Sequence, residues 1–507
     1  MRPLSNKHKI LIFILALLCC ISYNEINRYF VRKNNPSNEL RNSKSVVHGS
    51  TIWSIDNFWY LTQPKNFLEG KGFLLDPQNS QTAVRRTPGY SIFYMIHLVL
   101  FGETYTHRII PYSQSLLFAL SALALALSVF NLTRSGKKAF LTGIIYGCNP
   151  FTSGFVYYTI TEAIHPAFVI FGLYFLSKAL LGNFNKNGFI AGLFFAIACL
   201  IRPLNGLALA AGIAMLFFGT SDSYYNKGKK ILVVCFGFMV LVLPWTVRNY
   251  IVTRGEIVML EKIYHEDPMY MGKKQTYLSK WWMCWGNPKQ EAFIDSLKNE
   301  IATAREGYIS RFLAGLPEYS VRGYTNNELS RVLHEYKDCM HSEISSGVYG
   351  VYYKSADTLP ACEEKMKDGF EDLIRKYKQG APFRYYIISP LLIRGKEFFL
   401  TSFSSMYGSL NPEDRNFNMV QKIVKGLMYL FNVGLYISFF IFLFFIKSDR
   451  RLKIFIASFV ITTFLFIVYN VHIESRYLLA VYPFMTVSAA VVLARISDLR
   501  KWVSRNI

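Results

Sequence analysis

Residues 54–101 read SIDNFWYLTQPKNFLEGKGFLLDPQNSQTAVRRTPGYSIFYMIHLVLF, and the placement of this stretch decides the topology of everything after it. It lies between apolar runs, yet it is rich in aromatics, carries an early acid at Asp56 and paired bases at Arg85 and Arg86, and turns at Pro88-Gly89-Tyr90. Its apolar end, 90–101, makes a helix of only about 18 Å at about 1.5 Å per residue. The hydrocarbon core of a bilayer is about 30 Å thick, so this segment is too short to cross it.

The rest of the chain is built to cross. Fifty-two per cent of its 507 residues are hydrophobic and the mean hydropathy is +0.21, far from the profile of a water-soluble protein of this size. The apolar runs are continuous, whereas a β-barrel alternates in short segments of about ten residues. An all-α integral membrane protein follows. About ten spans are expected: 10–23, 108–130, 139–155, 164–181, 188–201, 204–218, 231–247, 424–446, 454–469 and 478–496. The first follows a basic start and is not trailed by a small-residue cleavage site, so it reads as an uncleaved span.

Alternating these spans puts the basic loops on one side. Lys7 and Lys9, then Arg134, Lys137 and Lys138, Lys186, then Lys227, Lys229 and Lys230, then Lys447, Arg450, Arg451 and Lys453, and finally Arg500, Lys501 and Arg505 all fall on the cytoplasmic face. Counting 90–101 as a span would turn every later loop inside out. It is therefore expected as an interfacial helix at the outer surface, with both termini cytoplasmic.

Three parts result. Residues 1–250 form an N-terminal transmembrane catalytic module that includes a first outer loop, 24–107. Residues 251–417 form an outer, periplasmic soluble region of mainly helical pattern, exemplified by 293–309. Residues 418–507 carry the C-terminal transmembrane helices. In 388–403, ISPLLIRGKEFFLTSF, Lys396 and Glu397 would add roughly 5 to 7 kcal/mol to insertion; that segment is expected at the interface too.

The net charge of +23 is dispersed through short loops and tails, where membrane orientation accounts for it, and no nucleic acid partner is expected. Cys19, Cys20, Cys148, Cys199 and Cys235 sit in apolar runs. Cys284, Cys339 and Cys362 lie in the polar region without CxxC spacing, which offers no metal site. A Cys339–Cys362 disulfide and two free thiols are both compatible with the sequence.

The residues that this topology sets near the outer leaflet are Asp56, Glu69, Asp76, Arg85, Arg86, Glu162, Arg202, Arg248, Glu474 and Arg476. Ionisable groups at membrane depth face a wet cavity or a partner. Arg202 (LIRPLNG), Arg248 (PWTVRNY) and Arg476 (HIESRYLLAVYP) come from separate helices and could converge on one anion. Phosphate suits the fixed fork of guanidinium donors. The ordinary alternatives are that each arginine snorkels to lipid headgroups, that Asp56 caps a helix, and that Glu162 satisfies the positive end of a helix. Glu69 and Asp76 read as loop acids and His165 as interfacial packing.

Taken in order, these residues resemble the first outer loop of the polytopic GT-C glycosyltransferases, in the protein mannosyltransferase-like and aminoarabinose transferase-like branch. The likeness rests on an acid after the first span, the segment Arg86-Thr87-Pro88-Gly89-Tyr90, a short apolar helix ending in Phe101-Gly102, Thr161-Glu162, Leu200-Ile201-Arg202-Pro203, Pro244-Trp245 with Arg248-Asn249-Tyr250, and Arg476-Tyr477. It runs from about residue 10 to 255 and returns near 470. It implies a GT-C-like bundle that moves a sugar from a polyprenyl-phosphate donor to a lipid, glycan or protein acceptor at the outer face, with membrane lipid around it; a bacterial inner membrane is the assumed setting, and the endoplasmic reticulum would give the same orientation. Many members place a second acid after the first. Here that neighbour is Asn57, which leaves a divalent metal cofactor undecided.

In that reading Asp56 is the general base, the displacement inverts the anomeric centre, and Arg202, Arg248 and Arg476 bind the donor phosphate as its charge develops. Arg85, Arg86, Tyr90 and Tyr477 bind substrate or position the loop, and Glu162 binds sugar hydroxyls. A lipid-linked glycan polymerase or ligase is the nearest alternative. A transporter would show paired repeats with helices broken near the midplane, and none is found.

Overall fold

The computed structural model describes residues 4–35, 45–262, 273–286, 290–303, 306–345, 360–399, 419–470 and 475–506. The chain divides into two compact units: residues 1–262, 399–467 and 474–507 form one, and 263–398 with 468–473 the other.

In chain order the first unit contains α1 (Asn6–Asn34), strands β1 (Ser45–His48) and β2 (Thr51–Ser54), α2 (Phe58–Leu68), α3 (Gly89–Thr133), α4 (Gly136–Gly147), α5 (Pro150–Ser153), α6 (His165–Ala179), α7 (Phe184–Ile201), α8 (Gly206–Gly219) and α9 (Tyr224–Val252). Among the described residues, six helices are long and apolar enough to cross a membrane: 6–33, 89–133, 184–201, 224–252, 419–444 and 450–469. The protein is an integral membrane protein, as its composition requires.

Two expected boundaries are corrected. The span expected over 139–155 is broken: α4 ends at Gly147, and α5 opens on Pro150 after Asn149, whose side-chain oxygen accepts from the Phe151 N–H at 2.8 Å. Proline has no N–H to continue the ladder, and asparagine caps the next turn. The short helix 90–101 is separated from the span after it by a single residue, Gly102, at φ 69° and ψ 171°. A side chain is disfavoured there, so the glycine makes the break.

Among the described residues the all-α expectation holds but for one hairpin. Strands β1 and β2 pair antiparallel, Val46 opposite Trp53 and Val47 opposite Ile52. Its turn uses Gly49 at φ 61°, where an added Cβ would sit 3.1 Å from the carbonyl oxygen of His107. The β-branched run on either side of Gly49-Ser50 is the signal for it.

Helix contacts follow small residues. A Cβ at Gly192 of α7 would lie 2.1 Å from the Val234 carbonyl, and one at Gly237 of α9 would lie 2.2 Å from the Phe189 carbonyl. The two backbones therefore touch, an arrangement open only to glycine on both sides.

The second unit holds α10 (Lys273–Trp285), α11 (Gln290–Ala302), α12 (Tyr308–Ala314), α13 (Asn326–Ser345), α14 (Pro360–Gly380), a π-helix (Arg384–Arg394) and α15 (Gly395–Phe399). Its core is aromatic: Trp281, Trp282 and Trp285 pack with Phe293, Tyr336, Phe370 and Tyr377. Trp281 donates to the Tyr324 hydroxyl at 2.8 Å, and Tyr324 donates to the Ser320 carbonyl at 2.6 Å, so these buried polar groups are satisfied. The helix expected over 293–309 stops at Ala302, and Gly307 at φ 93° starts the next one. Cys339 is disulfide-bonded; the side chain of Cys362 lies outside the described residues. The chain closes with α16 (Met419–Phe444), α17 (Arg450–Asn470) and α18 (Tyr482–Asn506).

Candidate functional site

The hairpin delivers Asp56. Immediately after β2 the backbone makes one 3-10 turn over Ile55–Asn57, closed by a capping box in which the Ser54 N–H and hydroxyl both donate to the Asn57 side-chain oxygen, at 3.1 and 3.3 Å. The Asn57 amide donates to the Thr159 hydroxyl. Asn57 is thus engaged at both ends and locks the turn, leaving Asp56 beside it half-buried and pointed at Arg476.

Four charges form a chain. The Arg476 guanidinium donates to Asp56, and its Nε stands 3.6 Å from Glu162 Oε1. The same Glu162 oxygen meets Arg202 Nη1 at 2.6 Å. Glu162 sits in a 3-10 turn before α6 with its other oxygen accepting from the Thr161 hydroxyl at 2.8 Å. Its burial would push the carboxyl up, but Arg202 and then Arg476 hold it well below the usual carboxylate range. The Tyr477 ring carries the Arg202 guanidinium at 4.6 Å and that of Arg476 at 6.0 Å. Residues expected from sequence as separate candidates therefore meet: Asp56, Glu162, Arg202, Arg476 and Tyr477.

Next to this chain lie the paired bases. The Arg85 guanidinium covers the Trp59 ring at 3.9 Å, and Arg86 lies 5.7 Å from the same ring and 6.0 Å from that of Tyr60. Arg86 Nη1 is 3.9 Å from Glu261, and its Nε is buried without a hydrogen-bond partner. Glu261 and Tyr60 were not singled out from the sequence. Burial raises the Glu261 carboxyl despite the lowering influence of Arg86, the Thr87 N–H and Arg202, while 31 % of its side-chain surface stays accessible. The Tyr60 hydroxyl is raised by burial too, against the pull of Arg86 and Arg202. The only sequence hint for Glu261 is an acid eleven residues after Tyr250 of the Arg248-Asn249-Tyr250 helix end.

Other expected residues go elsewhere. Arg248 donates to the carbonyls of Ala83 at 2.8 Å and Phe73 at 2.7 Å and covers Trp245 at 4.6 Å, so it ties the first outer loop to α9. Tyr90 is fully buried, and its hydroxyl donates to Gln114 at 2.9 Å, inside the bundle. Glu69 pairs with Lys71 at 2.5 Å, and Asp76 accepts from the Gln78 N–H at 2.9 Å, as loop acids do. His165 is buried. Glu474 lies outside the described residues.

A strap runs over the loop after α9. The Trp245 indole donates to the Leu260 carbonyl at 2.8 Å, the Asn249 amide to the Val258 carbonyl at 3.0 Å, and the Lys262 N–H to the Val84 carbonyl at 2.8 Å. These bonds carry Glu261 to Arg86.

A divalent metal finds a poor donor set here. Asp56 is engaged by a cation, Asn57 is locked in its turn, and among the described residues no group of three His, Cys, Asp or Glu could hold a metal ion.

Residues 85–247 match the family model of the dolichyl-phosphate-mannose-protein mannosyltransferases. The matched segment contains Arg85, Arg86, Tyr90, Glu162 and Arg202, and the likeness read from those residues is borne out there. Asp56, Glu261, Arg476 and Tyr477 come to it from outside the segment. Among solved structures, the chain is similar to the archaeal oligosaccharyltransferase AglB from Archaeoglobus fulgidus in complex with an inhibitory peptide and a dolichol-phosphate, at 12% identity and a TM-score of 0.43, covering 96% of this chain and 52% of that one. It is also similar to the Archaeoglobus fulgidus oligosaccharyltransferase in complex with Zn and sulfate, at 12% identity and a TM-score of 0.40, with 97% and 50% covered. The chain spans about half the length of these proteins. No curated protein matches it.

Proposed function

We propose that the protein is an inverting glycosyltransferase that moves a sugar from a polyprenyl-phosphate donor to a hydroxyl acceptor on the outer face of a bacterial inner membrane. The observation that carries this reading is the contact of Arg476 with Asp56, which brings a carboxylate and a cation from outside the mannosyltransferase-family segment onto the Glu162–Arg202 pair inside it.

Asp56 takes the acceptor hydroxyl proton as that oxygen bonds to the anomeric carbon. The bond from that carbon to the phosphate oxygen breaks, and the electron pair leaves with the polyprenyl phosphate. Arg476, already beside Asp56, meets the developing phosphate charge. Arg86 joins it, because its donor capacity is less engaged than that of Arg202, which Glu162 neutralises, or of Arg248, which holds two carbonyls. Glu162 and Tyr477 keep Arg202 and Arg476 in place, and Tyr60 and Glu261, both beside Arg86, meet the sugar hydroxyls.

The test is Asp56→Asn. It abolishes sugar transfer from a purified polyprenyl-phosphate donor while the amount of protein in the membrane is unchanged. Transfer at the wild-type rate by this variant overturns the assignment, and solute flux in vesicles lacking lipid-linked sugar would establish transport instead.

A further inference from the structure

The second unit is well behaved toward water over most of its surface. Its helices α13 and α14 turn their apolar residues into the aromatic core, and the exposed large hydrophobic side chains among its described residues 273–398 are Tyr319, Phe383, Tyr386, Ile387 and Leu392. Scattered apolar residues need no explanation, but a cluster does. Four of these five fall within ten residues of chain, and the fifth, Tyr319, lies under the Arg384 guanidinium at 3.5 Å.

The local geometry explains the cluster. The segment Arg384–Arg394 is a π-helix, so positions four and five apart share a face; Phe383, Ile387 and Leu392 follow that spacing. The opposite side faces the core: Ser389 and Pro390 are buried, Tyr385 packs against the aromatic cluster, and an added Cβ at Gly286 would lie 2.9 Å from Ile393. One side of the helix is thus apolar toward the protein and the other apolar toward the outside.

Charge and position narrow what covers the outer side. Residues 378–396 contain Lys378, Arg384, Arg394 and Lys396 and no acid, while Arg375 and Lys376 before them pair with Asp372 and Glu328. A basic, aromatic, amphipathic stretch suits anionic and zwitterionic headgroups above acyl chains. Tyr469, which belongs to this same unit, donates to the Tyr386 carbonyl at 2.6 Å. Tyr469 is in the last turn of α17, a helix of membrane-crossing length that opens on Arg450, Arg451 and Lys453. The far end of such a helix emerges at the opposite membrane surface, where Tyr is favoured.

We propose that the face formed by Phe383, Tyr386, Ile387 and Leu392 is a membrane-docking surface, seated in the outer leaflet and seating the second unit on phospholipid. The inference does not depend on the transferase reading. It is tested in the full-length protein in nanodiscs of phosphatidylcholine and phosphatidylglycerol, with the photo-crosslinking residue p-benzoylphenylalanine placed singly at Phe383, Leu392 and, as a control, the exposed Arg331 of α13. Irradiation adds the mass of a phospholipid to the protein at 383 and 392 and not at 331. Adducts at 392 to another part of this chain, to a second copy or to another protein overturn the proposal, as does the absence of any lipid adduct in a variant that unfolds at the wild-type temperature.

Discussion

Arg202 and Glu162 form an ion pair of 2.6 Å with only 12 % and 3 % of their side chains accessible. Removing one partner from such a pair leaves an uncompensated buried charge, at a cost of about 3 to 5 kcal/mol. Glu162→Met and Arg202→Met should each lower the thermal unfolding temperature of the purified protein markedly. The double variant Glu162→Met, Arg202→Met should be more stable than either, because it buries no lone charge. Additive losses in this double-mutant cycle would show that the two residues act independently.

The same pair sets a dependence on pH. The Glu162 carboxyl is held below its unfolded value of 4.5 by Arg202 and Arg476, so its contribution to stability is fully present above about pH 4.5 and is lost as the pH falls toward the folded value. The stability difference between wild type and Glu162→Gln should be constant from neutrality down to that point and shrink below it. Chemical unfolding of both proteins across that range measures it; a difference that grows on acidification contradicts the arrangement.

Arg248 holds the carbonyls of Phe73 and Ala83. Arg248→Met should loosen the loop between Gly70 and Val84, two hydrogen bonds from a charged donor being worth about 1.5 to 3 kcal/mol each. The expected readout is faster limited proteolysis within that loop, with α9 unaffected. Arg248→Lys, which reaches one carbonyl at a time, should fall between.

Gly89 belongs to the Pro88-Gly89-Tyr90 turn, and the structure gives it a stricter task. A Cβ there would lie 2.6 Å from the Ile201 backbone nitrogen and 2.7 Å from the Leu200 carbonyl carbon, so Gly89→Ala must push α3 off the end of α7, next to Arg202. A loss of folded protein well beyond the about 1 kcal/mol typical of point variants is expected, with the survivors impaired in transfer. Gly70→Ala, where nothing lies within 4 Å but φ is +77°, should cost only the backbone strain of about 1 kcal/mol.

What could be read in advance followed from physics with a strong local signature. Apolar run length announced the membrane helices, and expensive charges at their ends announced Asp56, Glu162, Arg202 and Arg476, because few other reasons keep such groups there. Pairings were not legible. Arg248 and Arg202 look alike as helix-end arginines, and only the path of the chain shows that one meets two carbonyls and the other a buried carboxylate. Glu261 was missed because its segment, Glu256 to Lys262, has no periodicity; hydrogen bonds from Trp245 and Asn249 shape it. Asn57 stands in sequence where related chains have a second acid, and its amide fixes the turn that presents Asp56.

Arg86 and Glu261 together give a prediction of opposite signs. Arg86 is buried at Nε without a hydrogen-bond partner and has Glu261 as a loose counter-charge at 3.9 Å. If Arg86 receives the donor phosphate, Arg86→Gln removes a charged hydrogen bond of about 1.5 to 3 kcal/mol, which weakens equilibrium binding of polyprenyl phosphate by roughly 10- to 150-fold. Glu261→Gln removes a negative charge beside the bound phosphate and should tighten binding. Burial raises the Glu261 carboxyl above its ordinary 4.5, so lowering the pH from neutrality toward that value protonates it in the wild type and makes the wild type behave like Glu261→Gln. Binding to wild type should strengthen on acidification relative to the Gln variant, whose profile lacks this step. Isothermal titration with a water-soluble short-chain polyprenyl phosphate at several pH values measures both effects, and an Arg86→Gln protein that binds it as tightly as wild type removes Arg86 from the phosphate site.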